Sequence, residues 1–180
     1  MNHLLKTISI VSLVLIIGCG KSNNISSSHN EELNKKIDSI VSAMTLEEKV
    51  GQMTQITLSH LLKQGSEGVQ EPFQLDTGRL KTALLDYHVG SILNCGGHAN
   101  SLKKWNEVIT TIQDIATHDT RLQIPVLYGI DAIHGANYTQ NATLFPQQIT
   151  QAATWNPEIS KHIGTITAYE TRASGIPWTF

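Results

Sequence analysis

PVLYGID, Pro125–Asp131, is a continuous apolar run closed by a carboxylate. Its shortness and its lack of polar alternation predict a strand buried on both faces, the kind that parallel sheets contain. Upstream, Val89-Gly90-Ser91-Ile92-Leu93 reads the same way and ends at Asn94-Cys95-Gly96-Gly97, where paired glycines permit a sharp turn. Downstream, Ile176–Phe180 begins another such run. The segments between them have helical periodicity. Ser101 to about Thr117 carries Leu102, Trp105, Val108, Ile109, Ile112 and Ile115 on one stripe, and Asn156–Ser174 offers Ile159, Ile163, Ile166 and Ala173 as inner positions. Strand, helix, strand, helix, strand with apolar strands throughout predicts an α/β fold, a parallel sheet covered by helices. A dinucleotide-binding sheet would place G-x-G-x-x-G after its first strand, and Gly90–Gly97 lacks that spacing. The expectation is therefore the N-terminal part of a (β/α)8 barrel, incomplete here, because eight units take about 250 residues and the chain has 180.

Working back from these strands, Thr45-Leu46-Glu47-Glu48 is a capping box, with the Thr45 hydroxyl and the Glu48 carboxylate each satisfying an amide of the other residue. It predicts a helix from Leu46 to about Gln55 with Leu46, Val50 and Met53 inward. Leu33, Ile37, Ile40, Val41 and Met44 form the apolar stripe of a preceding helix that begins near Glu31, and Leu61–Thr77 reads as loop.

The first residues are of a different kind. Met1–Lys6 is short and basic, and Thr7–Ile17 is almost wholly apolar yet shorter than the roughly 20 helical residues a bilayer crossing needs. This predicts a signal peptide over residues 1–18. Ile16-Ile17-Gly18-Cys19 resembles the lipobox of bacterial lipoproteins, which implies acylation of Cys19 and an exported, membrane-anchored protein in the periplasm or at the cell surface. Residues 19–30, rich in Ser and Asn, are expected to be a flexible tether, and residues 31–180 the folded part. Cys95 is the only other cysteine, so no disulfide framework is expected.

With 40% hydrophobic residues, 16% charged residues and a net charge of −2, the composition is that of an ordinary globular protein. No basic patch marks a nucleic-acid partner, and neutral ligands are expected instead. His98, His134 and His162 share no metal-ligand spacing, and nothing calls for a cofactor.

Asp131 carries the most chemistry. Ends of barrel strands are where substrate meets protein, and a carboxylate there accepts two vicinal sugar hydroxyls side by side. Capping of the following loop uses the same residue type, and local spacing does not separate the two readings. His134, in the same loop, either donates to a substrate hydroxyl or packs beneath the loop. Trp105 sits on an inner helical stripe and reads as core, whereas Trp155 and Trp178 could pack against sugar C–H surfaces. Glu170 and Arg172 are two apart on a helix, cannot face each other, and read as local structure. Cys95 has no evident base beside it, which speaks against a nucleophile.

MTLEEKVGQMTQ (Met44–Gln55), GSILNCGG (Gly90–Gly97), RLQIPVLYGIDAIHG (Arg121–Gly135), ATLFPQQI (Ala142–Ile149) and AYETRASGIPWTF (Ala168–Phe180) together resemble family 3 glycoside hydrolases, in their β-glucosidase and exo-glucanase branch. The resemblance implies hydrolysis of terminal non-reducing β-D-glucosyl residues with retention, and β-glucosides or gluco-oligosaccharides as substrates. It makes Asp131 a ligand of the terminal glucosyl unit, with Gly96 and Gly97 near the same subsite and His134 a weaker addition. β-N-acetylglucosaminidase and β-xylosidase activities rank behind. Retaining cleavage needs two carboxyl groups about 5 Å apart, and by the same resemblance both lie beyond Phe180. None of Asp114, Asp119, Glu158 or Glu170 matches either position, so this chain alone is expected to be inactive. The rival from another class is a non-catalytic, lipid-tethered sugar-binding protein.

Overall fold

The structure is a computed structural model that describes residues 25–63, 74–95 and 97–180. Cys19, the signal segment and Gly96 lie outside the described residues. The chain divides into two compact units, Met1–Ala43 and Met44–Phe180. In the first, helix α1 (Ile25–Ala43) begins inside the stretch expected to be a tether. Ser and Asn carry a helix on once it is nucleated, because each added residue gains a hydrogen bond.

The second unit opens with α2 (Leu46–Gln52), started by the capping box. Thr45 Oγ1 accepts the Glu48 amide at 3.2 Å and Glu48 Oε2 accepts the Thr45 amide at 2.8 Å. The helix ends three residues earlier than its pattern suggested, and its inner face differs. Leu46, Val50 and Met53 are exposed, while Glu48 and Gly51 are buried. The reason is a backbone contact: the Gly90 amide donates to Gly51 O at 2.9 Å. A Cβ on Gly51 would lie 2.4 Å from Tyr87 O, so only glycine permits this approach, and it turns the apolar side of α2 outward.

Strand β1 (Gln55–Thr57) follows at once, then a 3-10 turn, Leu58–Leu61. Helix α3 (Thr77–Lys81), capped by Asp76 Oδ1, widens into a π-type turn over Thr82–Asp86. Strand β2 (Ser91–Leu93), helix α4 (Leu102–Asp114) with its own π-type turn over Ile115–Asp119, and strand β3 (Leu127–Ile130) stand where the apolar runs put them. Helices α5 (Gln148–Ala152) and α6 (Pro157–Ala173) lead to β4 (Trp178–Thr179).

The protein is α/β, with one four-stranded parallel sheet in the order β1-β2-β3-β4. Ile56, Ile92 and Tyr128 stand in register across the first three strands. Ile92, Tyr128, Trp105, Ile112, Leu58 and Leu80 are fully buried, and Trp105 meets Tyr128 edge to face at 5.9 Å. This core sits between the sheet and α3 and α4. Helix α6 departs from expectation. Ile159 is 42% exposed and Ala173 lies at the surface, while Thr167, Thr171 and Ser174 are buried. A buried hydroxyl pair, Thr139 Oγ1 with Ser174 Oγ at 2.8 Å, accounts for the burial of Ser174. Short polar side chains that satisfy each other let α6 approach the loop after β3 closely, which longer apolar residues would prevent.

Candidate functional site

The loops leaving β2 and β3 emerge side by side, as parallel neighbours must, and are joined to each other. The Asn100 amide donates to Tyr138 O at 2.9 Å, the Gln140 amide to Asn100 O at 2.8 Å, and the Trp105 indole N–H to Tyr138 O at 3.0 Å. The Asn94 amide donates to Gly129 O at 3.0 Å, and the buried Tyr128 hydroxyl donates to Asn94 O. These bonds hold Asn94 and Asn100 against β3 and the loop that follows it at the carboxyl ends of the strands.

Within this frame Cys95 is 3% exposed. Burial pushes its thiol above the ordinary range, against the opposing effect of hydrogen bonds from the Gly97 and His98 amides, and the charge of Asp131 adds to the rise. Tyr138 is raised in the same way, by burial first and then by Cys95 and Asp131. Cys95 follows the end of β2, and Asp131 and Tyr138 both lie in the segment after β3.

Asp131 is half-buried, and its carboxylate makes no hydrogen bond or ion pair with any described residue. The amide that follows it, on Ala132, donates instead to Thr179 Oγ1 at 3.1 Å, so β4 supplies the local support a capping aspartate would have given. Other acids of comparable burial are engaged. Glu48 pairs with Arg121, whose Nε donates at 2.9 Å, while Asp76 caps α3. Glu170 accepts the Thr143 amide and hydroxyl, both at 2.9 Å, which fixes it as local structure. Among the described residues Asp131 is the one half-buried carboxylate left without a partner.

His134 is also half-buried, with a buried Nδ1 that lacks a partner. Its carbonyl accepts the Phe145 amide at 2.8 Å, and the next residue, Gly135, has φ +108° and lies where a Cβ would be 2.1 Å from Thr143 O. Gly97 is exposed with φ +105°. Trp105 is core, as its stripe indicated. Trp178 packs on Phe180 at 4.5 Å over Gly129, and Trp155 is 93% exposed. A water-sized cavity of about 30 Å³ lies at the opposite end of the sheet, between Glu48, His88, Arg121 and Val126, away from Asp131. Among the described residues no group of His, Cys, Asp or Glu could hold a metal ion, and no helix is long and apolar enough to cross a membrane.

Comparison with known sequences gives residues 45–180 as a match to the Glycosyl hydrolase family 3 N terminal domain. The chain belongs to glycosyl hydrolase family 3. Over 153 residues this family 3 chain is 38% identical to the lysosomal beta glucosidase of Dictyostelium discoideum, a match that covers 80% of the chain and 18% of that protein. The crystal structure of an exo-1,3/1,4-beta-glucanase from a Pseudoalteromonas species is similar at a TM-score of 0.62 and 30% identity, covering 81% of this chain and 17% of that one. A beta-glucosidase involved in saponin metabolism from intestinal bacteria is similar at a TM-score of 0.52 and 33% identity, covering 80% of this chain and 15% of that one. The family 3 chain thus spans less than a fifth of the length of each of these relatives.

Local spacing had singled out Asp131 and His134 but not Tyr138. No periodicity or motif marks Tyr138, whose backbone carbonyl joins the loop after β3 to Asn100 and Trp105.

Proposed function

We propose that this chain forms the sugar-recognising part of a β-glucosidase-type hydrolase that releases terminal non-reducing β-D-glucosyl residues with retention. The observation that carries the reading is the unpartnered, half-buried Asp131 at the carboxyl end of β3. Keeping a carboxylate partly dehydrated costs free energy unless a partner repays it. Vicinal sugar hydroxyls are such a partner, since each donates a charge-assisted hydrogen bond to one oxygen. The naming of similar proteins as β-glucosidases and an exo-glucanase supports glucose as the sugar. Gly97 and His134 flank the same subsite in this reading, and the substrates are β-glucosides or gluco-oligosaccharides.

A (β/α)8 barrel is the architecture we infer for the domain. Support comes from strand order, because sequential parallel strands β1-β2-β3-β4 each lie beside the next, without the reversal a doubly wound sheet makes. The two cleaving carboxyl groups of retaining chemistry are proposed to lie outside this chain, and Asp131 binds rather than cleaves. Export as a lipoprotein anchored through Cys19 completes the proposal and rests on the lipobox-like Ile16–Cys19.

The test is hydrolysis of an aryl β-D-glucoside by the parent enzyme, in which this segment is joined to the remaining barrel that carries the cleaving carboxyl groups, with product stereochemistry followed by NMR in the first minutes. Release of the β-anomer first is expected, and first release of the α-anomer refutes retention. Asp131→Asn should cost roughly 2–4 kcal/mol in kcat/KM, since a charged acceptor in a partly dehydrated site is weakened. Kinetic constants within about threefold of the wild type would reduce Asp131 to a structural residue.

A further inference from the structure

We propose that Glu170 of α6 is a positioning residue for the Asp131 site, holding the returning arm of the loop after β3 against the outgoing arm that carries Asp131 and His134. The inference rests on the reading of Asp131 as a sugar ligand. Among the described residues none from 131 to 147 belongs to a helix or a strand, so the loop is placed by a few single bonds rather than by a regular ladder. It doubles back on itself. The Phe145 amide donates to His134 O at 2.8 Å, and Gln148 Nε2 donates to Ile133 O at 3.4 Å. Gly135 lies so close under the returning arm that an added Cβ would be 2.1 Å from Thr143 O. The place of Ile133–Gly135 is therefore set by where Thr143 and Phe145 lie, and Asp131 is separated from Ile133 by Ala132 alone.

Thr143 in turn is held by Glu170. One carboxylate oxygen accepts the Thr143 amide and the other accepts the Thr143 hydroxyl, both at 2.9 Å. A two-point grip on the backbone and side chain of one residue fixes its orientation as well as its distance, and a charged acceptor makes the stronger bonds. One turn further along, at the end of α6, the Ser174 hydroxyl bonds the Thr139 hydroxyl at 2.8 Å, and the Ala142 amide donates to Thr139 O at 3.2 Å. Positions four apart share a helix face, so Glu170 and Ser174 clamp the returning arm at two points. A displacement of about 1 Å at a group that contacts substrate can cost about a hundredfold in rate. Loss of the Glu170 grip therefore reaches the sugar through the loop, although Glu170 itself binds only Thr143.

The experiment is a double-mutant cycle between Glu170→Ala and Asp131→Asn in the parent enzyme, with hydrolysis of an aryl β-D-glucoside as the assay and thermal unfolding of each variant measured beside it. Glu170→Ala alone should lower kcat/KM by about tenfold or more. In the Asp131→Asn background the same change should cost less than about twofold, because the contact it misplaces is already weakened. A merely structural Glu170 gives the same factor in both backgrounds. Glu170→Gln keeps both bonds, with the Thr143 hydroxyl accepting from the new amide, and should recover kcat/KM to within about threefold of wild type. If Glu170→Ala folds poorly, Thr143→Val, which loses only the hydroxyl bond, replaces it in the cycle, with a smaller loss and the same non-additivity expected. Equal losses in the two backgrounds, or wild-type kcat/KM in Glu170→Ala, overturn the positioning role and leave Asp131 as a sugar ligand. Wild-type kinetics in Asp131→Asn, or no hydrolysis by the parent enzyme, overturns the reading of the site and this inference with it.

Discussion

Gly51 and Gly164 occupy helices in opposite circumstances, and replacing each by alanine separates helix propensity from packing. In an unobstructed helix interior, Gly→Ala stabilises by roughly 0.5–1 kcal/mol. Gly164 in α6 has nothing within 4 Å of an added Cβ, so Gly164→Ala should gain about that amount. Gly51 in α2 would place its Cβ 2.4 Å from Tyr87 O and 2.6 Å from His88 O, both rigid backbone atoms. Reaching an ordinary contact requires the two segments to part by about 1 Å, an overpacking that costs roughly 1–3 kcal/mol. The separation also stretches the Gly90 amide to Gly51 O bond, now 2.9 Å, worth about 1 kcal/mol. After the propensity gain is subtracted, the net loss is roughly 1–3 kcal/mol. Urea unfolding followed by circular dichroism measures it. With an m-value of about 2 kcal/mol/M, Gly51→Ala should lower the midpoint by roughly 0.5–1.5 M, and Gly164→Ala should raise it slightly. A midpoint for Gly51→Ala at or above the wild-type value would refute the claim that this glycine is required by backbone contact.

The Glu48 and Arg121 pair makes stability acid-sensitive. The Arg121 guanidinium first, and the Thr45 amide second, hold the Glu48 carboxyl down at about 2 against an ordinary 4.5. The contribution is complete above pH 4.5 and is lost as pH falls towards 2. Arg121→Met should flatten the loss of thermal stability over that window, and an unchanged pH profile would show that the pair is idle. Ile112→Ala, at a fully buried position, should cost roughly 2–5 kcal/mol by equilibrium denaturation, and a loss under about 1 kcal/mol would mean the core collapses around it. Cys19→Ser should move the protein from the membrane to the soluble fraction in the producing bacterium, and equal membrane retention would contradict the lipid anchor.

Features decided within a few residues were legible in the sequence. The capping box at Thr45, the strands ending at Leu93 and Ile130, and the buried stripe of α4 from Trp105 to Ile112, though not Leu102 at its exposed start, each rest on local chemistry or on a long apolar pattern. Faces decided by a partner were not. Leu46, Val50 and Met53 look like an inner stripe, yet Gly51 lets a backbone replace a side-chain contact, and the apolar residues turn out. In α6 Ile159 is exposed and Ile163 and Ile166 are half-buried, while Thr167, Thr171 and Ser174 are buried, and Ser174 is drawn in by the Thr139 hydroxyl across the contact. Strand β1 has three residues, too few for alternation to register. At the site, Asp131 could be picked out by its place after an apolar run. That its carboxylate has no partner among the described residues is set by the three-dimensional surroundings, which spacing around Asp131 does not reveal.

That bond from Ala132 to Thr179 spans 47 positions of the chain, and it imposes an order on events during synthesis. At about 5–20 residues per second, the ribosome delivers Thr179 roughly 2–9 seconds after Ala132. Until then the peptide group beside Asp131 has only a tight local turn to the Ile130 carbonyl, and the loop after β3 has no anchor on β4. Helix α4 and the β2 and β3 pair use earlier residues and are complete by that stage. The nascent chain therefore has the residues of α4 and of the β2 and β3 pair in hand before the last core residue, Ile176, and the Thr179 contact beside Asp131 arrive together.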